Sequence, residues 1–164
     1  MTESAVLLVA TGFGAGWLPI APGTIGTMIG LPLAWWLLDL SQGRQLAVMA
    51  LLLAMAVPLC YLASVWLGGG DASQIVADEY LAFPVAVMAL SMKRRLWVLV
   101  LAFLVFRLFD ITKLPPINYL EMIGGGFGIV MDDLMAAMYT WIVLAIGLVF
   151  WRRYQSMQQL RQKP

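Results

Sequence analysis

Long apolar runs dominate the chain, and polar residues are mostly confined to the short segments between them. Residues 46–67 and 133–151 each match the length of about 20 mostly apolar residues that a membrane-spanning helix needs. Pro58 lies within the first run, where neighbouring helices in a membrane can tolerate the kink that it introduces. The pattern therefore predicts two helices that cross a lipid bilayer.

Shorter apolar runs predict three further helices, over residues 27–40, 75–92 and 96–110. The second of these contains Pro84, which is expected to break it. Residues 4–17 are apolar but rich in glycine, a pattern that favours a short or re-entrant helix leading into a loop. The predicted fold is an all-α integral membrane protein, a compact bundle of about five transmembrane or half-spanning helices plus a short N-terminal or re-entrant helix.

The segments between these runs are predicted to be connectors, over residues 18–26, 41–45, 68–74, 93–95 and 111–132. A single membrane-embedded domain is expected over residues 1–154, followed by a polar C-terminal tail over residues 155–164. The N-terminus lacks a basic segment and an A-x-A site, so no cleaved signal peptide is predicted.

The composition supports a membrane protein over a soluble one. Hydrophobic residues make up 62% of the 164 residues and charged residues 12%, against about 25% charged in soluble domains. A soluble core of this size cannot hide so much apolar surface. The net charge of +1 argues against nucleic-acid binding. Because there is no histidine and only one cysteine, Cys60, a disulfide framework and histidine-based acid–base chemistry are excluded.

The order of the predicted helices sorts most of the charged side chains into two groups at opposite ends of the bundle. One end receives only basic residues: Arg44, Lys93, Arg94, Arg95, Arg152 and Arg153. The other end mixes acids and bases: Asp71, Asp78, Glu79, Arg107, Asp110, Lys113, Glu121, Asp132 and Asp133. Ionisable residues near a membrane interior are costly and are functional candidates by default, so the mixed group is the candidate site.

Two adjacent acid pairs, Asp78-Glu79 and Asp132-Asp133, are each predicted to begin a helix. Carboxylates stabilise a first helical turn by about 0.3–1 kcal/mol, which accounts for one acid in each pair. The second acid points about 100° away, so capping explains it poorly. Mg²⁺ takes oxygen ligands, often one or two carboxylates with substrate phosphates and water, and the two pairs together can supply them. Simple capping and ion pairing with nearby cations remain the alternatives.

Arg107, Asp110 and Lys113 recur at a spacing of three, which places them on one face of a helix. Arg107 still lies inside an apolar run, so it needs an anion nearby. One interpretation is an ion pair between Arg107 and Asp110 within the helix. The other is that Arg107 and Lys113 hold phosphate oxygens while Asp110 orients Arg107 or binds a metal ion.

The stretch TGFGAGWLPIAPGTIGT combines glycines with hydroxyl side chains just before a predicted helix. Backbone N–H groups at the start of a helix can bind an anion, and Gly23, Thr24 and Thr27 lie at that position. The glycines of residues 12–16 are equally suited to close helix packing in lipid. The chain has no Walker pattern, so a nucleotide site is not indicated.

These motifs, in this order, resemble the phosphatidylglycerophosphatase A family. The resemblance covers residues 12–137 and rests on the motifs GFGAG, PGTIG, VADE, FRLFDITK and GGFGIVMDD. Family members often carry a histidine where this chain reads Met122-Ile123-Gly124, so no mechanism that needs this histidine is expected here.

The resemblance implies Mg²⁺-dependent removal of the terminal phosphate from phosphatidylglycerophosphate, which gives phosphatidylglycerol. It implies a multi-pass protein of the bacterial cytoplasmic (inner) membrane, with residues 1–154 as its catalytic domain. The expected partners are the phospholipid substrate and membrane lipids, and no protein partner can be inferred. Two rival functions are also compatible with the sequence: a small transporter or channel, and an inactive protein that binds anionic lipid. Clustering of the charges at one end disfavours an ion path.

The same resemblance suggests roles for seven of the nine charged residues of the candidate site. Mg²⁺ is expected at Asp78, Glu79, Asp132 and Asp133. The phosphate is expected at Gly23, Thr24, Arg107 and Lys113. The catalytic set is expected to be Arg107, Asp110, Lys113 and Asp133, with Asp110 or another carboxylate accepting the proton of an attacking water. A covalent aspartyl-phosphate is the open alternative.

Overall fold

The computed structural model describes residues 2–90 and 96–161, and over these ranges it contains helices and turns but no strand. The helices are α1 (Glu3–Ala10), α2 (Pro22–Leu37), α3 (Gln42–Trp66), α4 (Ala77–Ala82), α5 (Leu96–Thr112), α6 (Ile117–Leu120) and α7 (Gly125–Arg161). Short 3-10 turns occur at Ala15–Trp17, Phe83–Val87 and Glu121–Ile123. The prediction of an all-α fold is confirmed for the described residues.

Two of the described helices are long and apolar enough to cross a membrane, judged by length and composition. They are α3, with a mean hydropathy of 2.4, and α7 as far as Gln159, with a mean hydropathy of 2.0. The start of α7 packs on the C-terminal half of α3, because a Cβ atom at Gly126 would lie 2.7 Å from the Tyr61 Cβ. Farther along, Leu46 of α3 and Trp141 of α7 line one groove, so the two helices run antiparallel.

Several predicted helix boundaries are wrong. The predicted connector 18–26 already contains the first turn of α2, which begins at Pro22 because the fixed φ of proline suits the first helical position. The predicted connector 111–132 contains α6, a 3-10 turn and the start of α7 at Gly125. The predicted connector 41–45 is mostly the first turn of α3, which begins at Gln42.

The helix predicted over residues 75–92 is much shorter than expected. The described part consists of α4 and the 3-10 turn Phe83–Val87, in which Pro84 ends the α-helix as predicted. This turn is buried among the longer helices, and hydrogen bonds satisfy the backbone where it ends. The Ala89 N–H donates to Gln45 Oε1 at 3.0 Å, and Trp141 Nε1–H donates to the Met88 carbonyl at 2.8 Å. Non-helical backbone in an apolar setting needs such partners.

The two ends of the chain are both helical in part. The N-terminal run over residues 4–17 forms α1 and then a series of turns, which matches the predicted short helix leading into a loop. The predicted tail over residues 155–164 is helical as far as Arg161, as a continuation of α7. The predicted connector 93–95, with Lys93, Arg94 and Arg95, lies outside the described residues.

The core has two clusters that fix α4 in the middle of the bundle. In one, Phe83 meets Phe106 edge to face with ring centroids 5.5 Å apart. In the other, Cys60 and Val76 are fully buried beside Ile129. Because α4 follows directly on Val76 and leads into Phe83, both clusters hold the short helix that carries Asp78 and Glu79.

Candidate active site

One pocket of about 310 Å³ gathers the charged residues at the end of the bundle where α2 begins and α5 ends. Its charged lining consists of Asp71, Asp78, Glu79, Arg107, Asp110, Lys113, Asp132 and Asp133. The predicted grouping of these residues at one end is therefore confirmed. The side chain of Glu121, which was predicted to join them, lies outside the described residues.

Three carboxylates of this pocket form a compact cluster. Asp78, Glu79 and Asp133 each place one oxygen within 4.8 Å of the others. Asp78 and Asp133 are only 5% and 3% exposed. Two buried oxygens of the cluster, Glu79 Oε2 and Asp133 Oδ1, accept no hydrogen bond from the described residues. Since buried polar atoms normally have partners, this arrangement fits a cation that takes oxygen ligands.

The two acid pairs reach the pocket from different positions in their helices. Asp78 and Glu79 lie in the first turn of α4, as predicted. Asp132 and Asp133 lie about two turns inside α7, so the prediction that they begin a helix is wrong. Capping of α7 therefore cannot explain this pair. In each pair the first carboxylate accepts the backbone N–H of the second residue, at 3.0 Å in α4 and 2.9 Å in α7.

Burial and mutual repulsion act against ionisation of the acids in α4, which lies outside both candidate spans. Burial raises the pKa of Asp78 well above its usual range, and the neighbouring Glu79 carboxylate raises it further. Burial likewise raises the pKa of Glu79, with Asp133 as the next cause. A bound cation would reverse both effects, because an opposite charge favours the ionised form of a carboxylate.

Arg107 faces the acidic cluster from α5. Its guanidinium forms a close ion pair with Asp110, as one of the two interpretations of the spacing predicted. Across the helix interface, its Nη1 lies 3.9 Å from Glu79 Oε1 and donates to Thr27 Oγ1 at 3.5 Å. Lys113 lies nearer the mouth of the pocket, with its Nζ atom 3.3 Å from Asp132 Oδ2. Asp132 is thus paired with Lys113, apart from the three-acid cluster.

Helix α2 closes one side of the pocket because it carries glycines where it meets α4. A Cβ atom at Gly23 would clash with Glu79 Oε1 and lie 3.1 Å from Arg107 Nη1. Gly23 lines the pocket as predicted, whereas Thr24 does not. The hydroxyl that reaches the site is that of Thr27, which accepts from Arg107 and donates to the Gly23 carbonyl at 2.9 Å.

Two polar lining residues, Asp71 and Ser73, are missing from the predicted ligand and catalytic sets. They lie in the loop between α3 and α4, after three consecutive glycines. The sequence did place Asp71 at the acidic end of the bundle. It carried no signal that this particular loop closes over the pocket, because the loop has no hydrophobic periodicity.

Comparisons with known proteins bear directly on this site. The family model described as phosphatidylglycerophosphatase A matches residues 8–148. A phosphatidylglycerophosphatase A of Haemophilus influenzae is 35% identical over 146 residues, which cover 88% of this chain and 88% of the relative. The corresponding protein of Escherichia coli is 32% identical over 145 residues, covering 87% of this chain and 80% of the relative.

A third relative carries a different name. It is a Bacteroides thetaiotaomicron protein whose name marks it as a candidate phosphatidylinositol-3-phosphatase, 34% identical over 151 residues, covering 86% of this chain and 92% of the relative. No solved structure matches the chain. The matches define the class of protein as a phosphoric monoester hydrolase, to which an acidic cluster beside an arginine is suited. The chain belongs to the phosphatidylglycerophosphatase A family.

Proposed function

We propose that the protein is a Mg²⁺-dependent lipid phosphatase that hydrolyses phosphatidylglycerophosphate to phosphatidylglycerol and phosphate. One observation carries the proposal beyond the family match. The buried cluster of Asp78, Glu79 and Asp133 has unpartnered oxygens and lies directly beside Arg107. Hydrolysis of a phosphomonoester is favoured by two features: a bound cation that polarises the phosphoryl group and an arginine that binds its oxygens.

The proposed ligands of Mg²⁺ are Asp78, Glu79 and Asp133, whereas Asp132, also predicted as a ligand, lines the same pocket but pairs with Lys113. When bound, the ion would polarise the phosphoryl group and lower the pKa of a coordinated water. The protein side chains supply what Mg²⁺ prefers, a small number of carboxylate oxygens with positions left for water and phosphate. Glu79 Oε2 and Asp133 Oδ1 suit this role because no described hydrogen bond competes for them.

The remaining charged residues are proposed to bind and orient the phosphate. Arg107 binds two phosphate oxygens through its planar fork, and Asp110 holds the guanidinium in place. The first turn of α2 offers the Gly23 backbone N–H to the same oxygens, whereas the Thr24 and Ile25 N–H groups donate to the Ala21 carbonyl. Lys113, 31% exposed and paired with Asp132, supplies a positive charge nearer the mouth. Arg107, Asp110, Lys113 and Asp133 remain the proposed catalytic set.

The fold supports a place in a lipid membrane, which we propose to be the bacterial cytoplasmic membrane. The 25 residues of α3 span about 37 Å, more than the hydrocarbon thickness of about 30 Å. Large apolar side chains face outward along α3 and α7, including Leu51, Met55, Ile146 and Phe150. Such surface is costly in water and favourable in lipid. We propose a multi-pass protein with one membrane-embedded catalytic domain over residues 1–154.

Phosphate release from phosphatidylglycerophosphate in mixed micelles tests the proposal. The wild-type protein is expected to release phosphate in the presence of Mg²⁺, and this release is expected to stop when the ion is chelated. Asp133→Asn and Arg107→Ala are each expected to lower the rate about 100-fold or more, since the first weakens a proposed ligand of the ion and the second removes the positive charge that stabilises the phosphate. Asp39→Asn, in the turn between α2 and α3 at the opposite end, is the control and is expected to keep the wild-type rate.

Near wild-type rates for Asp133→Asn and Arg107→Ala at saturating Mg²⁺ would refute the proposed site. The two rival functions have distinct outcomes in the same preparation. Ion flux in proteoliposomes without phosphate release would indicate a transporter or channel. Binding of anionic lipid without phosphate release would indicate an inactive lipid-binding protein.

A further inference from the structure

The pocket changes in character from its floor to its mouth. The floor is formed by the buried carboxylates of Asp78 and Asp133 beside Arg107. The mouth is formed by exposed or partly exposed residues, among them Asp71 and Lys113. A headgroup whose terminal phosphate reaches the floor must therefore pass its next atoms between the residues of the mouth.

The loop that carries Asp71 is held firmly on its N-terminal side. Gly68–Gly70 all adopt left-handed backbone conformations, with φ of 103°, 89° and 75°, which glycine adopts without strain. The Ser64 hydroxyl at the end of α3 donates to the Gly70 carbonyl, and the Gly69 N–H donates to the Ser64 carbonyl at 2.8 Å. The turn before Asp71 is thus fixed to α3.

The loop is held on its C-terminal side as well. The Ile75 N–H donates to the Ala72 carbonyl at 2.8 Å, and the Val76 N–H donates to the Ala10 carbonyl at 2.9 Å. Gly16 packs so closely on the Gln74 carbonyl that a Cβ atom there would clash. Both sides together fix the backbone position of Asp71 over the pocket.

A carboxylate at the mouth of a pocket that is proposed to bind a phosphate is unusual, because the two groups repel each other. Six carboxylates and two cationic side chains line the described pocket. Asp71 adds negative charge to the mouth, where an ionised carboxylate is a strong acceptor for a hydroxyl group. The mouth therefore matches a headgroup that presents a hydroxyl group beyond its terminal phosphate.

We infer that Asp71 is a specificity-determining residue that accepts a hydrogen bond from a hydroxyl group of the lipid headgroup. The inference rests on the proposed function and narrows its substrate class to lipids whose terminal phosphate is carried by a polyol. Phosphatidylglycerophosphate has such a hydroxyl group on its terminal glycerol. Phosphatidic acid, whose phosphate is attached directly to diacylglycerol, has none.

Asp71→Ala, assayed on these two lipids with identical acyl chains and saturating Mg²⁺, tests the inference. For phosphatidylglycerophosphate, kcat/KM is expected to fall about 10-fold or more, because the charged hydrogen bond to the hydroxyl is lost. For phosphatidic acid it is expected to stay the same, so the ratio between the two lipids falls. Asp71→Asn keeps an acceptor oxygen and is expected to keep most of the preference. Asp39→Ala removes the same charge from the opposite end of the bundle and is expected to leave kcat/KM unchanged for both lipids.

Ser64→Ala provides an independent variant, because it leaves the carboxylate intact and releases the loop from α3. It is expected to lower the same ratio by a smaller factor than Asp71→Ala. An equal fall in kcat/KM for both lipids would mean that Asp71 contributes to activity without distinguishing the headgroups, and would overturn the inference. A higher Mg²⁺ concentration for half-maximal rate would indicate that Asp71 binds the metal ion, which would also overturn it. An unchanged ratio would overturn it too. Failure of the proposed function looks different, since the wild-type protein itself would then release no phosphate from phosphatidylglycerophosphate.

Discussion

Gly23 illustrates how one missing side chain shapes the pocket. It lies in the first turn of α2, where the Glu79 carboxylate and the Arg107 guanidinium occupy the space that a Cβ atom would fill. Its φ is not left-handed, so glycine is required there for space and not for backbone conformation. The close approach brings the first turn of α2 to the residues proposed to bind phosphate.

Gly23→Ala is therefore expected to displace Glu79 and Arg107 and to lower phosphate release about 100-fold, as small misplacements of catalytic groups can do. Gly43→Ala is the matched control, because nothing lies within 4 Å of a Cβ atom at that position in α3. It is expected to keep the wild-type rate. Equal rates for the two variants would show that α2 does not set the geometry of the site.

The residues of the site differ in how well sequence alone could find them. Adjacent acids are conspicuous in a hydrophobic chain, so the sequence identifies Asp78, Glu79 and Asp133 as candidate metal ligands. The spacing of Arg107 and Asp110 likewise predicts their ion pair. Thr24 was preferred to Thr27 because the start of α2 was placed too late. One turn of helix decides which hydroxyl faces Arg107.

At the scale of elements, the start of α7 shows tertiary packing overriding local propensity. The run GGGFG favours a loop by propensity, since glycine is costly in a helix. The structure continues the helix back to Gly125, where the absence of a side chain at Gly126 lets α7 lie against the Val57 carbonyl and Tyr61 of α3. Periodicity along one segment carries no information about a contact with another.

Gly126→Ala is expected to push α7 away from α3 and to destabilise the fold by about 1–3 kcal/mol, the usual cost of overpacking. That cost corresponds to a fall in Tm of about 2–12 °C for a chain of this length. Gly147→Ala in the same helix is the control, since nothing lies within 4 Å of a Cβ atom there. Its Tm in detergent should be equal or higher, because alanine favours a helix over glycine. A Tm for Gly126→Ala as high as that of Gly147→Ala would contradict the close contact.

At the scale of the whole molecule, charge is divided between the two ends of the bundle. Helix α3 carries Arg44 in its first turn and ends at the loop that carries Asp71, whereas α7 begins near the pocket and ends beyond Arg152 and Arg153. The antiparallel pair therefore separates these basic residues from the acidic pocket. This separation was predictable from the order of apolar runs, because two long helices fix it even when shorter elements are misjudged.

If α3 and α7 each cross the membrane, as we propose, the start of α3 and the turn before α7 lie on opposite sides of it. Arg44→Cys and Met122→Cys report these positions, and Met122 is 80% exposed. In intact cells a membrane-impermeant maleimide is expected to label only one of the two, and both after permeabilisation. Ser156→Cys should follow Arg44→Cys, because the end of α7 returns to the start of α3. The wild-type protein is the control, since Cys60 is fully buried. Labelling of Arg44→Cys and Met122→Cys together in intact cells would mean that α3 does not cross the bilayer.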